Sequence, residues 1–347
     1  MNAAYRLVRP ADSPRLTPND EQARALEHRQ GGLLLLGGSR TGKTRTLIEA
    51  ALQALERAVP RVWFISSNRA AGRSLRSLLA ASYPDAMSRL TISTGHALAG
   101  QLLAQAYPDQ EQPVLLTAAR QDQFVRDLLA GAPPRRWPKR FEPALGTRVF
   151  ASDLREAMTS LQRLDITASA VMAAAGAAAR PDWLALGSCL QEYLDVLALS
   201  GSIDYPEMLR MARQALQNPD FLAQINPRAS WVLVDDFDDI DPQVAELIGE
   251  LICGGTCWMA AINPDAQVNG FRGSRSRSAL DLARSWNHDQ PPSVVSLTAT
   301  YRQAEAIVDG LISLRGQLPL PSGLAAAAGL TYRAPVGDSV GSAKRRR

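Results

Sequence analysis

The most restrictive feature of this chain is a glycine-rich stretch between residues 31 and 45. An apolar run, Leu33–Leu36, leads there into the pattern Gly-x-x-x-x-Gly-Lys-Thr at residues 37–44, and a good helix former, Thr46–Leu52, follows. A short, fully apolar run is typical of a strand buried on both faces of a parallel sheet. Strand, loop and helix in this order are the context in which such a loop binds phosphate. We therefore predict an α/β fold around a phosphate-binding loop.

Each residue type in this loop has a physical task. The glycines allow backbone N–H groups to converge on phosphate oxygens at a helix N-terminus. Lys43 is expected to reach the β- and γ-phosphates, and the Thr44 hydroxyl is expected to help hold Mg²⁺. The predicted nucleotide-binding residues of the loop are Gly37, Gly38, Ser39, Arg40, Thr41, Gly42, Lys43 and Thr44. The alternative is a glycine-rich turn that happens to contain a lysine, and the flanking strand and helix argue against it.

Length and composition describe a globular protein. The 347 residues are enough for one large or two ordinary domains, and 46% are hydrophobic while 21% are charged. No apolar run approaches the length of a membrane span, and the first ten residues lack a signal-peptide core. We therefore predict a cytoplasmic protein without a membrane partner.

Charge and cysteine content place few limits on what the protein can bind. The net charge of +4 and pI of about 9.1 permit nucleic acid without requiring it. Three of the basic residues are lysines (Lys43, Lys139 and Lys344), which makes the lysine of the loop conspicuous. A disulfide or a metal site is the alternative interpretation of Cys253 and Cys257, but no second cysteine pair or histidine cluster accompanies them. Buried thiols are the favoured interpretation.

Periodicity divides the chain into a sheet-forming part and a helical part. Further strands are predicted at Val62–Ser66, Leu90–Ser93, Trp231–Val234, Thr256–Ile262 and Ser293–Leu297. Helices are predicted from Asn19 or Asp20 to His28, at Arg69–Ala81, from Gly95, at Val244–Ile252 and at Tyr301–Leu314. Between about Pro108 and Pro227 apolar strands give way to helical periodicity. It is found at Gln121–Leu129, Val149–Leu164, Thr167–Ala178, Trp183–Leu199 and Tyr205–Leu216.

These patterns predict four segments. Residues 15–107 and 229–315 form the two parts of a core with a parallel sheet of five or more strands, and residues 108–228 form a helical insertion. Residues 316–347, rich in proline, glycine and alanine, are predicted to be a disordered tail.

Within the helical insertion, residues 133–140 combine basic side chains with Trp137. Such a mixture suits contact with a single strand of nucleic acid. A solvated proline-rich loop is the favoured alternative because the segment is short.

Carboxylates follow the strand Trp231–Val234 directly. Asp235 and Asp236 come next, at the carboxyl end of the strand, where ligands bind in open α/β sheets. They are the predicted acidic partners of the phosphate-binding loop.

The order of motifs around the loop resembles one family. The motifs are Gln22, Gly42–Arg45, Thr91–Leu98, Val234–Asp239, Asn263–Gly273 and Thr300–Arg302. In this order they resemble the first half of UvrD/Rep/PcrA-type superfamily 1 DNA helicases, over about residues 15–315. The chain looks especially like the AdnA-type subunits of actinobacterial helicase–nuclease complexes. The resemblance implies a RecA-like ATP-binding core with an inserted all-helical subdomain.

The resemblance also implies roles at the nucleotide, with ATP and Mg²⁺ as cofactors. Gln22 would read the adenine, and Arg45 lies where the family has a base or ribose contact. Asp235 would hold Mg²⁺ through water, and Asp236 would orient the attacking water as general base.

Three further residues are implied to link ATP to DNA. Arg272 and Arg302 match arginines that touch the γ-phosphate and couple the state of ATP to the grip on DNA. His96 lies in the segment that contacts single-stranded DNA in the family. In isolation each of these residues, like Gln22 and Asp236, is more often an ordinary surface or loop residue, and the shared order supports the functional interpretation.

The chain departs from the family pattern at four positions. Asp236 replaces the catalytic glutamate and is shorter by one methylene, or about 1.5 Å; a displacement of that size costs about a hundredfold in rate. Asp238 replaces a glutamine and so loses its donor group. Ala266 stands where a glutamine is expected, beside Gln267, and Arg40 replaces a glycine often found in the loop.

The sequence also has no room for the second RecA-like core that such helicases close over ATP. We therefore expect a helicase or nuclease partner subunit that supplies this core, with single-stranded DNA as the other partner, and weak ATP hydrolysis by the chain alone. The second hypothesis is a non-catalytic, nucleotide-responsive DNA-binding or assembly subunit. A remnant of a longer gene is the third, and a small-molecule kinase, which leaves Arg272 and Arg302 unexplained, is remote.

Overall fold

The computed structural model describes residues 17–67, 72–73, 76–77, 80, 87–109, 111–133, 136–227, 229–252, 256–263, 281, 283–286 and 291–300. These residues belong to two compact units. The sheet unit holds the described residues up to Thr94, Ala223–Asp241 and those from Leu251 onward. The helical unit holds Gly95–Leu222 and Pro242–Glu250. The division into functional domains at residues 107–108, 228–229 and 315–316 stays a prediction.

Among the described residues, the sheet unit contains six strands of one sheet, and the helical unit consists mostly of helices. The strands are β1 Gly32–Gly37, β2 Val62–Ser66, β3 Leu90–Thr94, β4 Val114–Leu115, β5 Ser202–Ile203, β6 Trp231–Val234, β7 Cys257–Ile262 and β8 Ser293–Leu297. The α-helices are α1 Asp20–Leu26, α2 Lys43–Glu56, α3 Gly95–Ala106, α4 Ala118–Gly131, α5 Arg148–Arg163, α6 Ala168–Ala177, α7 Pro181–Leu199, α8 Tyr205–Leu216, α9 Pro219–Ile225 and α10 Pro242–Leu251.

The sheet unit is built on a six-stranded parallel sheet with the order β3-β2-β6-β7-β1-β8. β7 lies between β1 and β6, so the strand before the glycine-rich loop and the strand before Asp235 are next-but-one neighbours. In a parallel sheet all carboxyl ends meet at the same edge. The predicted α/β class, with a parallel sheet of five or more strands flanked by helices, is confirmed.

Burial explains how β1 and α2 are held together in this unit. Leu33 and Leu35 are almost completely buried, and they share a core with Leu47 and Ala51 of α2. Each large apolar side chain buried in this way contributes about 1.5–3 kcal/mol. The loop between β1 and α2 is therefore held at both ends by packed elements.

Polar side chains fix the starts of four helices in the described part of the helical unit. Thr117, Thr147, Thr167 and Asp204 are N-caps of α4, α5, α6 and α8, and each accepts a hydrogen bond from a backbone N–H three residues on. Such a cap stabilises a helix by about 1 kcal/mol. The core of this unit includes Val125, Leu154, Leu190 and Tyr193.

Trp137 corrects the interpretation of residues 133–140. Its side chain is only 7% exposed, and its ring packs edge-on against Phe141 and Phe150. Neither a solvated loop nor a stacking surface for a nucleic-acid base describes a tryptophan in that position. Trp137 is a core residue of the helical unit.

Short elements account for the other differences from the predicted secondary structure. β4 and β5 pair in parallel over two residues each, in a region predicted to lack strands. The short helix α9 was not predicted, and α1 ends at Leu26 rather than at His28. The predicted helix Tyr301–Leu314 and the tail at 316–347 lie outside the described residues, as does most of the helix predicted at Arg69–Ala81.

Two negative findings apply to the described part of the chain. None of its helices is long and apolar enough to span a membrane. Cys189 and Cys257 are both buried free thiols, whereas Cys253 lies outside the described residues.

Candidate functional site

The glycine-rich loop is held in a tight conformation between β1 and α2. A Cβ atom at Gly37 would lie 2.4 Å from the Thr41 hydroxyl, which donates a hydrogen bond of 3.0 Å to the Gly38 carbonyl. Gly42, the residue before α2, has φ 94°, a conformation that side chains rarely adopt. Arg40 has φ 63°, which gives a physical reason why a glycine is often found there. The loop therefore needs glycine at residues 37 and 42, whereas at residue 40 an arginine occupies the left-handed conformation.

Lys43, the first residue of α2, lies in the middle of the loop. Its ammonium donates hydrogen bonds to the Gly37 and Gly38 carbonyls, 2.9 Å and 3.0 Å away. The side chain is buried, and its charge partly opposes the rise in pKa that burial causes at the Asp235 and Asp238 carboxyls. A buried ammonium needs such polar compensation. The predicted phosphate-binding lysine thus lies close to the predicted acids.

Thr44 and Asp235 are in direct contact. The Thr44 hydroxyl donates to Asp235 Oδ1 at 3.1 Å and to Oδ2 at 2.8 Å. Asp235 follows β6, and its backbone N–H donates to the Ile65 carbonyl of β2, which keeps it at the carboxyl edge of the sheet. Burial raises the pKa of Asp235 to about 6, and the nearby charge of Asp236 adds to this shift.

Asp236 adopts a strained backbone conformation. Its φ of 48° and ψ of 51° lie in the left-handed region, where aspartate and asparagine are tolerated better than longer side chains. Its carbonyl accepts from the Asp239 N–H at 3.0 Å, within the turn that begins at Phe237. The Ser67 hydroxyl donates to Asp236 Oδ2 over 3.4 Å, a long hydrogen bond. Strain of this kind clusters at functional sites.

Asp238 connects the loop after β6 to the end of β7. Its Oδ1 accepts a hydrogen bond of 2.9 Å from the Asn263 N–H, and only 4% of the residue is exposed. Burial raises the pKa of Asp238 to about 7, although the Asn263 N–H opposes that shift. At neutral pH this carboxyl therefore spends part of its time protonated, when it carries a donor and an acceptor, as a glutamine does.

Gln22 and Arg45 lie on the first turns of two helices of the sheet unit. Gln22 is almost fully buried and forms a capping box with Asn19. Its backbone N–H donates to Asn19 Oδ1 at 2.8 Å, while its Oε1 accepts from the Asn19 N–H at 3.1 Å. This pair of bonds fixes the orientation of the amide. Arg45 is half-buried on α2.

His96 belongs to the helical unit, on the first turn of α3. Its ring lies 5.0 Å from the ring of Tyr205, edge-on, and Tyr205 is 38% exposed. Tyr205 was missed by the sequence interpretation, because an aromatic residue at the first position of a helix has no distinctive pattern. A partly exposed aromatic pair is a surface on which a nucleobase can stack.

The remaining predicted site residues cannot be placed. Arg272 and Arg302 lie outside the described residues, as do Ala266 and Gln267. The sheet unit brings together Lys43, Thr44, Asp235, Asp236 and Asp238. Their roles stay predictions.

The residues present fit a magnesium–nucleotide complex. Thr44 and Asp235 provide a hydroxyl and a carboxylate in contact, and Mg²⁺ prefers oxygen ligands, of which the protein commonly supplies one or two beside phosphate oxygens and water. In the part of the chain that the structure describes, no cluster of three or more His, Cys, Asp or Glu side chains is arranged to hold a metal ion. A hydroxyl and a carboxylate in contact suit a magnesium ion that nucleotide phosphates also bind.

Comparison with known proteins agrees with this arrangement. Residues 18–287 match the family described as UvrD/REP helicase N-terminal domain. Over 306 residues the chain is 22% identical to the putative ATP-dependent DNA helicase YjcD of Bacillus subtilis, covering 85% of this chain and 38% of that protein. It is 22% identical to the ATP-dependent DNA helicase PcrA of Leuconostoc citreum, covering 84% and 38%. It is 23% identical to DNA helicase II of Escherichia coli, covering 85% and 40%.

The chain spans about two fifths of the length of these relatives. The nearer likeness to AdnA-type subunits stays a prediction. Because the matched family covers most of the sequence, the chain belongs to the UvrD/REP helicase N-terminal domain family.

Proposed function

We propose that this chain is the ATP-binding module of a UvrD-like DNA helicase or translocase. It binds Mg–ATP at the glycine-rich loop and couples the nucleotide to single-stranded DNA. The observation that carries the proposal is the contact of Thr44 with Asp235 beside the buried ammonium of Lys43. The matched relatives, whose names describe DNA helicases, two of them as ATP-dependent, support it.

Different residues of the described part would bind different parts of Mg–ATP. Lys43 exchanges the Gly37 and Gly38 carbonyls for β- and γ-phosphate oxygens, which are stronger acceptors because they are charged. The Thr44 hydroxyl and the Asp235 carboxylate would hold Mg²⁺, the carboxylate through water. When bound, Mg²⁺ neutralises charge on the phosphates. Gln22, fixed by its capping box, reads the adenine edge, and Arg45 contacts the base or ribose.

Hydrolysis needs groups beyond this set. Asp236 is the proposed general base, and its carboxylate lies one methylene short of a glutamate. Arg272 and Arg302 are proposed to contact the γ-phosphate. A second RecA-like core, from a partner subunit or the remainder of a longer protein, would close over ATP. The chain alone is therefore a weak ATPase.

The helical unit would provide part of the DNA contact. His96 and Tyr205 present adjacent rings, and Tyr205 is exposed enough to meet a base. Base–aromatic stacking contributes about 1–3 kcal/mol per base and tolerates any sequence. This contact suits a translocase, which must hold strands of any sequence.

The test is the ATPase activity of the pure chain with and without single-stranded DNA, alongside nucleotide binding by calorimetry. We expect Mg²⁺-dependent ATP binding and weak hydrolysis. Failure of the folded chain to bind ATP would refute the proposal. Strong DNA-stimulated turnover by the chain alone would instead contradict only the need for a partner core.

A second candidate is a non-catalytic, nucleotide-responsive subunit that binds DNA or assembles with a helicase. The shortened acid Asp236 and the acid Asp238, in place of a glutamate and a glutamine, favour it. Restoring the glutamate separates the two candidates, because only an attenuated motor gains hydrolysis from it.

A further inference from the structure

A cavity of about 660 Å³ lies within the helical unit. It is lined by parts of α7 and β5, the end of α5 and the first turns of α8. Leu190 and Leu197 of α7 and Ile203 of β5 are buried apolar side chains among its lining residues. Sites for small molecules commonly have volumes of about 300–1,000 Å³ and mostly apolar linings. None of the described residues proposed above to contact nucleotide or DNA lines this cavity.

The three charged residues that the structure places in the lining are already in ion pairs. Glu207 and Arg210 pair with each other over 2.6 Å. Asp165 pairs over 3.1 Å with Arg213. A charged ligand would lose water beside groups that already have their counter-charges, and that loss is costly. The lining therefore favours an uncharged molecule.

The lining also contains a hydrogen-bond acceptor that the fold does not use. Gln162, at the end of α5, donates from Nε2 to the Asp204 carboxylate at 3.2 Å. Gln162 Oε1 is buried and has no hydrogen-bond partner among the described residues. A buried acceptor without a donor is unfavourable, so a ligand that donates a hydrogen bond there removes a cost that the protein otherwise bears.

The surroundings of Gln162 hold its amide in this orientation. The Asp204 carboxylate also accepts hydrogen bonds from the Tyr193 side chain and, at 3.0 Å, from the Glu207 N–H. A flipped amide would direct its oxygen at this carboxylate, so the nitrogen stays on the side of Asp204. The backbone carbonyl of Gln162 accepts a hydrogen bond of 2.8 Å from Gln243 Nε2, which fixes the end of α5. The acceptor is thus held in place before any ligand binds.

We propose that this cavity is a binding site for a small, uncharged, largely apolar molecule that donates one hydrogen bond. The donor group of the ligand meets Gln162 Oε1, and its apolar body packs against Leu190, Leu197 and Ile203. The site goes beyond the proposed function, because it contains none of the residues proposed to bind nucleotide or DNA.

The experiment uses N-phenylnaphthylamine, an uncharged fluorescent probe with an apolar body and a single N–H. Its fluorescence rises when it leaves water, so titration with the full chain gives an affinity and a stoichiometry. We expect one saturable site per chain. Ala198 lines the cavity and is exposed, so Ala198→Trp should fill the cavity and weaken binding by about tenfold or more. Ala174, exposed on α6 and not in the lining, is the matched control, and Ala174→Trp should bind as wild type does.

Two relatives of the probe test the chemistry of the ligand. Its N-methyl derivative lacks the donor, and anilinonaphthalene sulfonate adds a negative charge to the same ring system. We expect wild type to bind each of them about three- to tenfold more weakly, the factor that corresponds to one hydrogen bond. Gln162→Met, which removes the acceptor, should weaken binding of the N–H probe by the same factor and leave the affinity for the N-methyl derivative unchanged.

Circular dichroism identifies the variants that stay folded. If folded wild type shows no saturable binding of N-phenylnaphthylamine, the cavity would be left to an apolar segment of a protein partner, and the inference would be wrong. Equal affinities of wild type and Ala198→Trp would place the probe elsewhere and would also overturn it. Equal weakening of both probes by Gln162→Met would remove the assigned donor contact. If Gln162→Met does not fold, the comparison of the two probes on wild type carries that part of the test.

Discussion

The hydroxyl of Thr44 donates hydrogen bonds to both carboxylate oxygens of Asp235, although 191 residues separate the two in the chain. Thr44 lies on the helix after β1, and Asp235 follows β6, two strands away in the sheet. The contact therefore depends on the parallel order of the strands, which brings the ends of β1 and β6 to one edge. It places the two predicted magnesium ligands side by side.

Replacing Lys43 should strongly weaken nucleotide binding. The ammonium is buried and already held by two carbonyls, so an alanine leaves phosphate oxygens in the loop without a charged partner. Truncating one partner of a buried charged contact costs about 2–5 kcal/mol. We expect Lys43→Ala to weaken Mg–ATP binding by about a hundredfold or more in calorimetry.

Lys139 is the matched control for this substitution. It is exposed in the helical unit, so Lys139→Ala should bind Mg–ATP as wild type does. Circular dichroism would show whether both variants stay folded. Tight ATP binding by a folded Lys43→Ala chain would contradict the assignment of the loop.

Binding of Mg–ATP should weaken as the pH falls through about 6. The pKa of Asp235 is raised to about 6, mainly by burial, so below that pH the carboxylate that would hold Mg²⁺ becomes protonated. We expect the affinity to fall by up to about tenfold per pH unit below this value. The measurement is a series of calorimetric titrations between pH 5 and 8.

The control for this pH dependence is Asp235→Asn. Its amide cannot titrate, so any pH dependence that remains in the variant belongs to other groups, including the phosphates of the nucleotide. Identical pH profiles for wild type and Asp235→Asn would show that this carboxyl does not control binding.

The buried carboxylate of Asp238 should destabilise the folded protein at high pH. Its pKa is raised from 3.8 to about 7, so the folded state holds a proton that the unfolded chain has released. The stability that this proton provides is fully present below pH 3.8 and is lost as the pH rises through 7. At pH 8 the Asp238 carboxylate is charged and buried. The substitution Asp238→Asn removes this charge and keeps an oxygen that can accept the hydrogen bond from the Asn263 N–H.

We therefore expect Asp238→Asn to stabilise the protein at pH 8 by up to a few kcal/mol, on the order of 1.4 kcal/mol for each unit of the pKa shift. The gain should disappear near pH 4. Urea unfolding at several pH values measures it. The exposed Asp109 provides a control, because Asp109→Asn should change the free energy of unfolding by less than about 0.5 kcal/mol. A constant difference across the pH range would contradict the assigned cause.

The sheet of this protein was predictable because its strands are apolar on both faces. Leu33–Leu36 and Trp231–Val234 are continuous apolar runs, which are typical of a buried parallel strand, and the structure places both inside the six-stranded sheet. Val114–Leu115 and Ser202–Ile203 could not be predicted in the same way. Each is two residues long, and they pair only because the chain between them folds back.

The candidate site was predictable in part for a similar reason. Lys43 and Thr44 belong to one local pattern, and Asp235 follows a strand whose carboxyl end must lie at the ligand edge. The contact of Asp238 with the Asn263 N–H needs the knowledge that β7 lies beside β6, which no local pattern contains. Trp137 was misinterpreted because its partner Phe150 lies on α5, outside the local segment of residues 133–140.

Tyr205 should contribute to single-stranded DNA binding. It is partly exposed beside His96, so a base can stack on it, and loss of one stacked base costs about 1–3 kcal/mol. We expect Tyr205→Ala to weaken binding of a labelled oligothymidine by about tenfold in fluorescence anisotropy at fixed salt. Tyr205→Phe should keep the affinity. Trp183, also 38% exposed and in the same unit, is the control, and an equal loss in Trp183→Ala would argue against a specific stacking site.

Restoring the family's glutamate should test whether the chain is an attenuated motor. Asp236 is one methylene shorter than that glutamate, and a displacement of about that size costs about a hundredfold in rate. We expect Asp236→Glu to raise the rate of ATP hydrolysis by between about tenfold and a hundredfold in the presence of single-stranded DNA. Because the backbone there is left-handed, the longer side chain should also lower stability by about 1 kcal/mol.

The matched variant is Asp236→Asn, which tolerates the same backbone conformation but removes the proposed base. It should bind Mg–ATP and hydrolyse none, since an amide cannot accept the proton of the attacking water. Hydrolysis that is unchanged in both variants would mean that residue 236 takes no part in chemistry. The chain would then act as a nucleotide-responsive binding subunit, with any turnover left to its partner.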